Sequence, residues 1–285
     1  MILYMKKFGK AFLKALVLLT LMGVLTSATC TKQKGVHKIT SFTMMKYGMD
    51  ERHELTFYII DTGRDGMNVA IISGIHGNEI AAQGASFDLM NNFDFPKGKF
   101  LFIPKANKLA CDLNDRFPGA KHPGFYSQDS ENYRGDPDYH DMNRIFPGDT
   151  AGTITKRIAA VITEVLDEFK PDLIIDLHES MNLHTNPGNV GNTLLTNSIN
   201  LYAAESAVAA LNASGLTPEA DFVARRASTE GMAITVYDTR YNIPTFLIET
   251  TRFEGVTPLI HVPFQQRIAQ HRFLIKHLMS TYGAL

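Results

Sequence analysis

Apolar residues in this chain come in two spacings, short unbroken runs and stripes of period near 3.6, and the two alternate along most of its length. Residues 67–73, with Val69-Ala70-Ile71-Ile72 at their centre, have the length of a strand buried on both faces, and helix-compatible sequence follows over 78–90. A second strand is predicted at 99–104. Over 153–169 the residues Ile154, Ile158, Val161, Val165 and Leu166 make one helical stripe, which Pro171 stops. A strand at 172–178 follows, then a helix at 198–211, a buried strand at 245–250 and a terminal helix at 263–282. Strands alternating with helices predict an α/β fold, a single domain with a central mixed, mostly parallel sheet flanked by helices.

Two segments break the alternation. Residues 107–149 hold four prolines and four glycines with little apolar periodicity, and a loop of that length in a compact domain is expected to build a binding surface. At the start, Lys6, Lys7, Lys10 and Lys14 precede the apolar run 15–25 and the small residues Thr26-Ser27-Ala28-Thr29. That layout predicts a signal peptide over 1–30, with the catalytic domain spanning 31–285. The run is too short to span a bilayer stably. Cys30 stands where a lipoprotein carries its acylated cysteine, so a lipid anchor there is one expectation and simple export the other. Cys111 is the other cysteine, which leaves no disulfide framework. With 28 basic and 29 acidic residues, no net charge draws in nucleic acid or an anionic membrane surface.

The chemistry sits at strand ends. In Gly74-Ile75-His76-Gly77-Asn78-Glu79, an imidazole and a carboxylate three apart follow a strand and open a helix, and both are zinc ligands. In Asp176-Leu177-His178-Glu179-Ser180, a second strand ends in a histidine, at the end of an open α/β sheet where functional groups gather. His76, Glu79 and His178 leave a fourth position open for water, which is a catalytic rather than a structural metal arrangement. His184 is an alternative ligand. Asp176 is expected either to accept the far ring N–H of a metal-bound histidine or to support a neighbouring loop, whereas alternation turns Glu179 to the other face. Glu249 is a charged residue inside the apolar strand Phe246-Leu247-Ile248-Glu249-Thr250. It needs either a buried partner, Arg252 or Arg240, or a role as general base. In Asp141-Met142-Asn143-Arg144-Ile145-Phe146-Pro147, a guanidinium beside an amide suits a substrate carboxylate, the other reading being an ion pair of Arg144 with Asp141.

These motifs, in this order over about residues 68–251, resemble the zinc carboxypeptidase superfamily and look closest to its succinylglutamate desuccinylase/aspartoacylase branch. The resemblance implies one Zn2+ per chain on His76, Glu79 and His178, with Asn143 and Arg144 binding the substrate carboxylate and Glu249 as base and acid. It also implies a second arginine that polarises the scissile carbonyl, for which Arg134 is the match and Arg116 the rival. A substrate-facing residue shortly before the base is sought among Tyr237, Arg240 and Tyr241. Aspartoacylase and desuccinylase carry a further β-rich domain after the base, whereas 36 residues follow Glu249 here. With the export signal, this favours a carboxypeptidase-type metallopeptidase acting on cell-wall or other short peptides. A deacylase of N-acyl amino acids is the alternative, and a non-catalytic envelope lipoprotein the remote one.

Overall fold

The computed structural model describes residues 38–118, 140–181, 190–252 and 262–285, and in it the apolar runs pair into one eight-stranded sheet. Its strands are β1 (Lys38–Met44), β2 (Leu55–Asp61), β3 (Asn68–Ser73), β4 (Lys99–Ile103), β5 (Leu173–Ser180), β6 (Thr193–Thr196), β7 (Val223–Arg226) and β8 (Thr245–Thr251). The order across the sheet is β1-β2-β4-β3-β5-β8-β6-β7. The central strands β4, β3, β5 and β8 run parallel, while β2 joins β4, and β6 joins β8, antiparallel. The mixed, mostly parallel sheet flanked by helices is therefore as the sequence predicts.

The helices are α1 (Ile80–Asn92), α2 (Lys108–Leu113), α3 (Ile154–Phe169), α4 (Leu201–Ala213), α5 (Ala233–Tyr241) and α6 (Phe264–Thr281). One core packs α1, α4 and α6 on one face of the sheet, and a second packs α3 and α5 on the other. Because both faces are covered, the central strands bury nearly every residue, which is why Val69-Ala70-Ile71-Ile72 in β3 and Leu173-Ile174-Ile175 in β5 are apolar without alternation. Neighbours on one strand serve different cores: Ile174 belongs to the α3 side and Ile175 to the α1 side. Thr153 caps α3 by accepting from the Lys156 N–H, and Lys170, in the left-handed region, closes it.

The helices and central strands predicted from spacing match the observed ones to within a few residues. The loop predicted over 107–149 contains α2 and a short 3-10 turn at Met142–Arg144. Strands β1, β2, β6 and β7 and helix α5 lie in sequence assigned to no element: β1 and β7 are the sheet's edges, β6 and β7 are only four residues long, and β2 is a half-buried inner strand whose alternation was not read. Residues 1–30, with the expected export signal and Cys30, lie outside the described residues. Among the described residues no helix is long and apolar enough to cross a membrane.

The chain leaves β3 through α1 for β4 on one side and reaches β5 on the other. The carboxyl ends of β3 and β5 thus flank a topological switch point, where α/β sheets open a crevice. Truncating the two faces of β5 separately checks the two-core arrangement. Ile174→Ala and Ile175→Ala should each cost about 2–5 kcal/mol in urea unfolding with an unchanged m-value, and a loss below 1 kcal/mol from either would show that its face is not a packed core.

Candidate metal centre

The crevice is built from a loop that the backbone pins before any side chain acts. After β3, Gly74 turns at φ +71°, where a Cβ would lie 2.9 Å from both the Cys111 sulfur and the Pro104 carbonyl oxygen. At Gly77 a Cβ would lie 2.0 Å from the Ala110 carbonyl carbon, so the loop rests directly on α2, and the Gly77 N–H donates to the Arg116 carbonyl at 3.1 Å. Glu79 stands at the N-cap of α1. His178 comes from β5, buried completely, and parallel pairing sets it beside Glu249 on β8.

His76, Glu79 and His178 converge, with one ligand atom from each within 4.8 Å of the others. His76 Nδ1 lies 2.7 Å from Glu79 Oε1, His178 Nδ1 lies 2.8 Å from Glu79 Oε2, and the two Nδ1 atoms are 3.2 Å apart. The outer ring nitrogens are held by carboxylates: His178 Nε2 is 3.2 Å from Asp176 Oδ2, and His76 Nε2 is 2.9 Å from Asp141 Oδ1. With an N–H donated outward from each ring, both Nδ1 lone pairs and the Glu79 carboxylate point inward, so three acceptors meet at one point. Such a set calls for a cation. Two nitrogens on one tetrahedral zinc, each about 2.0–2.1 Å from it, sit about 3.3–3.4 Å apart, close to the spacing seen. The residues therefore fit a divalent metal, and the absence of thiolate with two imidazoles and one carboxylate suits a hydrolytic site.

The electrostatics point the same way. Burial opposes the charged form of every group here, but neighbours overrule it at three of them. Asp176 and Glu79 hold the His178 imidazole well above its ordinary range, His76 and His178 hold Glu79 well below the carboxylate range, and His76 with Arg116 does the same for Asp141. The pull of Asp176 and Glu79 on His178 is toward a cation, the place a metal ion would take.

Glu249 behaves differently. Burial, helped by Glu79 and Asp176 and opposed by His178 and Arg116, pushes its carboxyl up from 4.5 to about 8, and its Oε2 has no hydrogen-bond partner among the described residues. The alternative partners are engaged elsewhere, Arg252 by the Asn78 carbonyl and Arg240 by Asp167. A buried carboxylate beside the cluster with no structural partner has the environment of a general base.

Arg116 approaches from the end of α2, its Nη1 3.3 Å from Glu79 Oε1 and its Nη2 3.4 Å from Asp141 Oδ2. Arg134 lies outside the described residues, as does His184. Asn143 is buried, and its Oδ1 accepts from the Ala233 N–H at 2.9 Å, starting α5. Arg144 follows it on the same turn, where its Nη1 donates to the Asn143 carbonyl rather than to Asp141, whose oxygens go to His76, Arg116 and the Asn143 N–H. Two of the expected substrate-facing residues lie away from the cluster. Tyr237 is wholly buried with its ring packed 5.3 Å from Phe146, and Arg240 is bound to Asp167 on the exposed side of α5. Neither is brought to the cluster, because the segment before β8 is a helix whose inner side fills the core. Glu179 points to the opposite face, as alternation predicts. The roles of Arg116 and Asp141 at the cluster were the less visible part. Their signal was an Asp opening the Asn-Arg turn and an Arg following α2.

Two measurements follow. Gly77→Ala should abolish metal uptake and lower stability sharply, since the added carbon meets backbone rather than a movable side chain; uptake equal to the parent would disprove the packing. In chelator, the folded pKa of Glu249 exceeds the unfolded one, so its contribution is intact below 4.5 and is lost as pH rises to about 8. Glu249→Gln should therefore gain stability over the parent between those values and hold the gain at pH 9. An equal difference at pH 4 and pH 9 would contradict it.

No curated protein matches the chain. Among solved structures, an aspartoacylase family protein of Mesorhizobium loti aligns at 15% identity and TM-score 0.57, covering 92% of this chain and 71% of its own. A succinylglutamate desuccinylase of Silicibacter sp. aligns at 17% and 0.59 with the same coverage, 92% and 71%. The mDAP-bound D,L-carboxypeptidase Csd4 of Helicobacter pylori aligns at 16% and 0.58, covering 77% of this chain, which spans about half (51%) of Csd4. These likenesses establish the fold. The family model of the succinylglutamate desuccinylase/aspartoacylase catalytic domain matches residues 65–270, a span that holds the whole cluster, and the chain belongs to this family of hydrolases.

Proposed function

We propose that the chain is a zinc-dependent hydrolase that cleaves an amide bond next to a free carboxylate, with His76, Glu79 and His178 as the metal ligands and Glu249 as general base. The observation that carries this reading is the convergence of three buried acceptors on one point with the unpartnered Glu249 carboxylate beside them. A bound zinc ion would supply Lewis-acid polarisation of the scissile carbonyl and acidify the attacking water. The chain's own residues do the rest. Glu249 accepts the proton of the attacking water and delivers it to the leaving amine. Arg116, the rival of Arg134 for the carbonyl-polarising arginine and the one that reaches the cluster, stabilises charge developing on the carbonyl oxygen. Asn143 has its amide oxygen committed to the Ala233 N–H, which leaves its NH2 as the donor to present to a substrate. That is the polarity a carboxylate needs. Arg144 on the same turn supplies the bidentate partner.

The substrate reading we favour is a short peptide with a free C-terminal carboxylate, processed outside the cytoplasm. The lysine-led apolar run before Cys30 supports export, with a lipid anchor at Cys30 as its membrane tether, and Csd4, a carboxypeptidase, shares the fold. The second reading, a deacylase of N-acyl amino acids, is favoured by the family match itself. Both use one catalytic set.

The deciding experiment is metal content of the chain without residues 1–30, together with turnover of a panel of cell-wall peptides, other short peptides and N-acyl amino acids. One zinc per chain is expected, with turnover of peptides bearing a free carboxylate. Glu249→Gln should keep zinc and lose about 10²–10⁴-fold in kcat, and Arg116→Met about 10²–10³-fold. Arg144→Met should raise KM for carboxylate substrates while leaving kcat for their amidated counterparts unchanged. Absence of zinc would overturn the mechanism, and turnover confined to N-acyl amino acids would select the deacylase.

A further inference from the structure

Glu79 occupies the N-cap of α1, where a side chain ordinarily accepts from the amide two or three residues on. It makes no such bond, because both its oxygens face the histidines. The amide two residues on, that of Ala81, donates instead to Glu179 Oε2 at 2.7 Å, across 98 residues of sequence. Glu179 is 1% exposed, directly after His178 on β5 but on the opposite face of the sheet. Its other oxygen accepts from Arg267 on α6, which is also buried. Arg252, buried just past β8, donates to the carbonyl of Asn78, the residue between the two ligands of the loop and next to Glu79.

We propose that Glu179, Arg267 and Arg252 are positioning residues that hold the metal-binding loop from behind, Glu179 acting as a helix cap in trans. The inference rests on the metal reading above. A helix start needs its amides satisfied, and a carboxylate at the N-cap is the nearest group to do it. With the Ala81 amide taken by Glu179, Glu79 is released from capping and turns into the crevice. Without Glu179, Ala81 offers a buried, unpaired donor within reach of Glu79, and the ligand is drawn back toward the helix. Arg267 compensates the second carboxylate at this crowded helix start, where an unpaired buried charge would not be tolerated. Arg252 fixes the one loop carbonyl that must stay still if His76 and Glu79 are to keep their relation. Ligand and cap are consecutive in sequence: from opposite faces of one strand, His178 meets His76 and Glu79 of the loop, and Glu179 meets the first turn of the helix that follows it.

The test is zinc affinity by competition with a chromophoric chelator, with amide exchange at Ala81 read in the metal-free protein. Glu179→Ala should weaken zinc about 10–100-fold, the usual effect of losing a group that orients a ligand. The double variant Glu179→Gln with Arg267→Met keeps an acceptor for Ala81 and removes both charges together, and should stay within about threefold of the parent. Leu278→Ala, buried on α6 away from the loop, should lower the melting temperature yet leave zinc affinity within about twofold. Unchanged zinc affinity in Glu179→Ala, or an equal loss in Leu278→Ala, would overturn the proposal while leaving the metal site standing. A parent that takes up no zinc would overturn the metal reading, and Ala81 exchange then decides the cap: faster exchange in Glu179→Ala than in Leu278→Ala supports it, and equal exchange rejects it. Should Glu179→Ala fail to fold, Arg252→Met takes its place, with zinc weakened about tenfold expected and no change counting against the clamp.

Discussion

Parallel pairing of β5 with β3 on one side and β8 on the other is the constraint from which the site descends. It sets His178 beside Glu249 and brings the loop after β3 to the same edge. Since side chains alternate along a strand, a slip of one residue would replace His178 by Leu177 in the crevice, or Glu249 by Ile248. Two cores prevent the slip. Ile174 and Ile175 are buried on opposite faces, so each register error exposes apolar surface on one side and buries charge on the other.

Given that register, the crevice gathers more acceptors than donors. Glu79, Asp141, Asp176 and Glu249 all lie around two imidazoles and one guanidinium. Burial raises Glu249, while the histidines pull Glu79 down, so two carboxylates in one site are driven in opposite directions by their surroundings. One is tied to the ligand cluster and the other is left able to take a proton. This division is what a hydrolytic site requires of two otherwise identical groups.

Much of this was legible in the sequence, and the reason is physical. A doubly buried strand must be continuously apolar, so His178 at the end of Leu173-Ile174-Ile175 and Glu249 after Phe246-Leu247-Ile248 stood out as charge where none is tolerated without a partner or role. Strand alternation put Asp176 on the face of His178, and of its two expected uses the structure shows the contact with the ring. The positions of Tyr237 and Arg240 were not legible, because proximity in sequence to β8 says nothing of which side of a short helix faces the crevice. In α5 the tyrosine fell to the core and the arginine to Asp167. Arg116 was harder to weigh, since its place depends on Gly77 lying against α2, a backbone contact that leaves no mark in hydrophobic spacing.

Asp141 draws the two halves of the site together. One of its oxygens meets His76 Nε2 and the Asn143 N–H, and the other meets Arg116. The same carboxylate thus orients the His76 ring, starts the turn that carries Asn143 and Arg144, and anchors a guanidinium beside Glu79. Asn143 passes the constraint on by starting α5 through Ala233. A displacement of that turn would strain the His76 contact at once, because one small side chain has no slack to serve three directions. Under the proposed function, recognition of a substrate carboxylate and placement of the reacting carbonyl would be fixed by one rigid unit, which is how a site on a loop achieves the precision usually reserved for strands and helices.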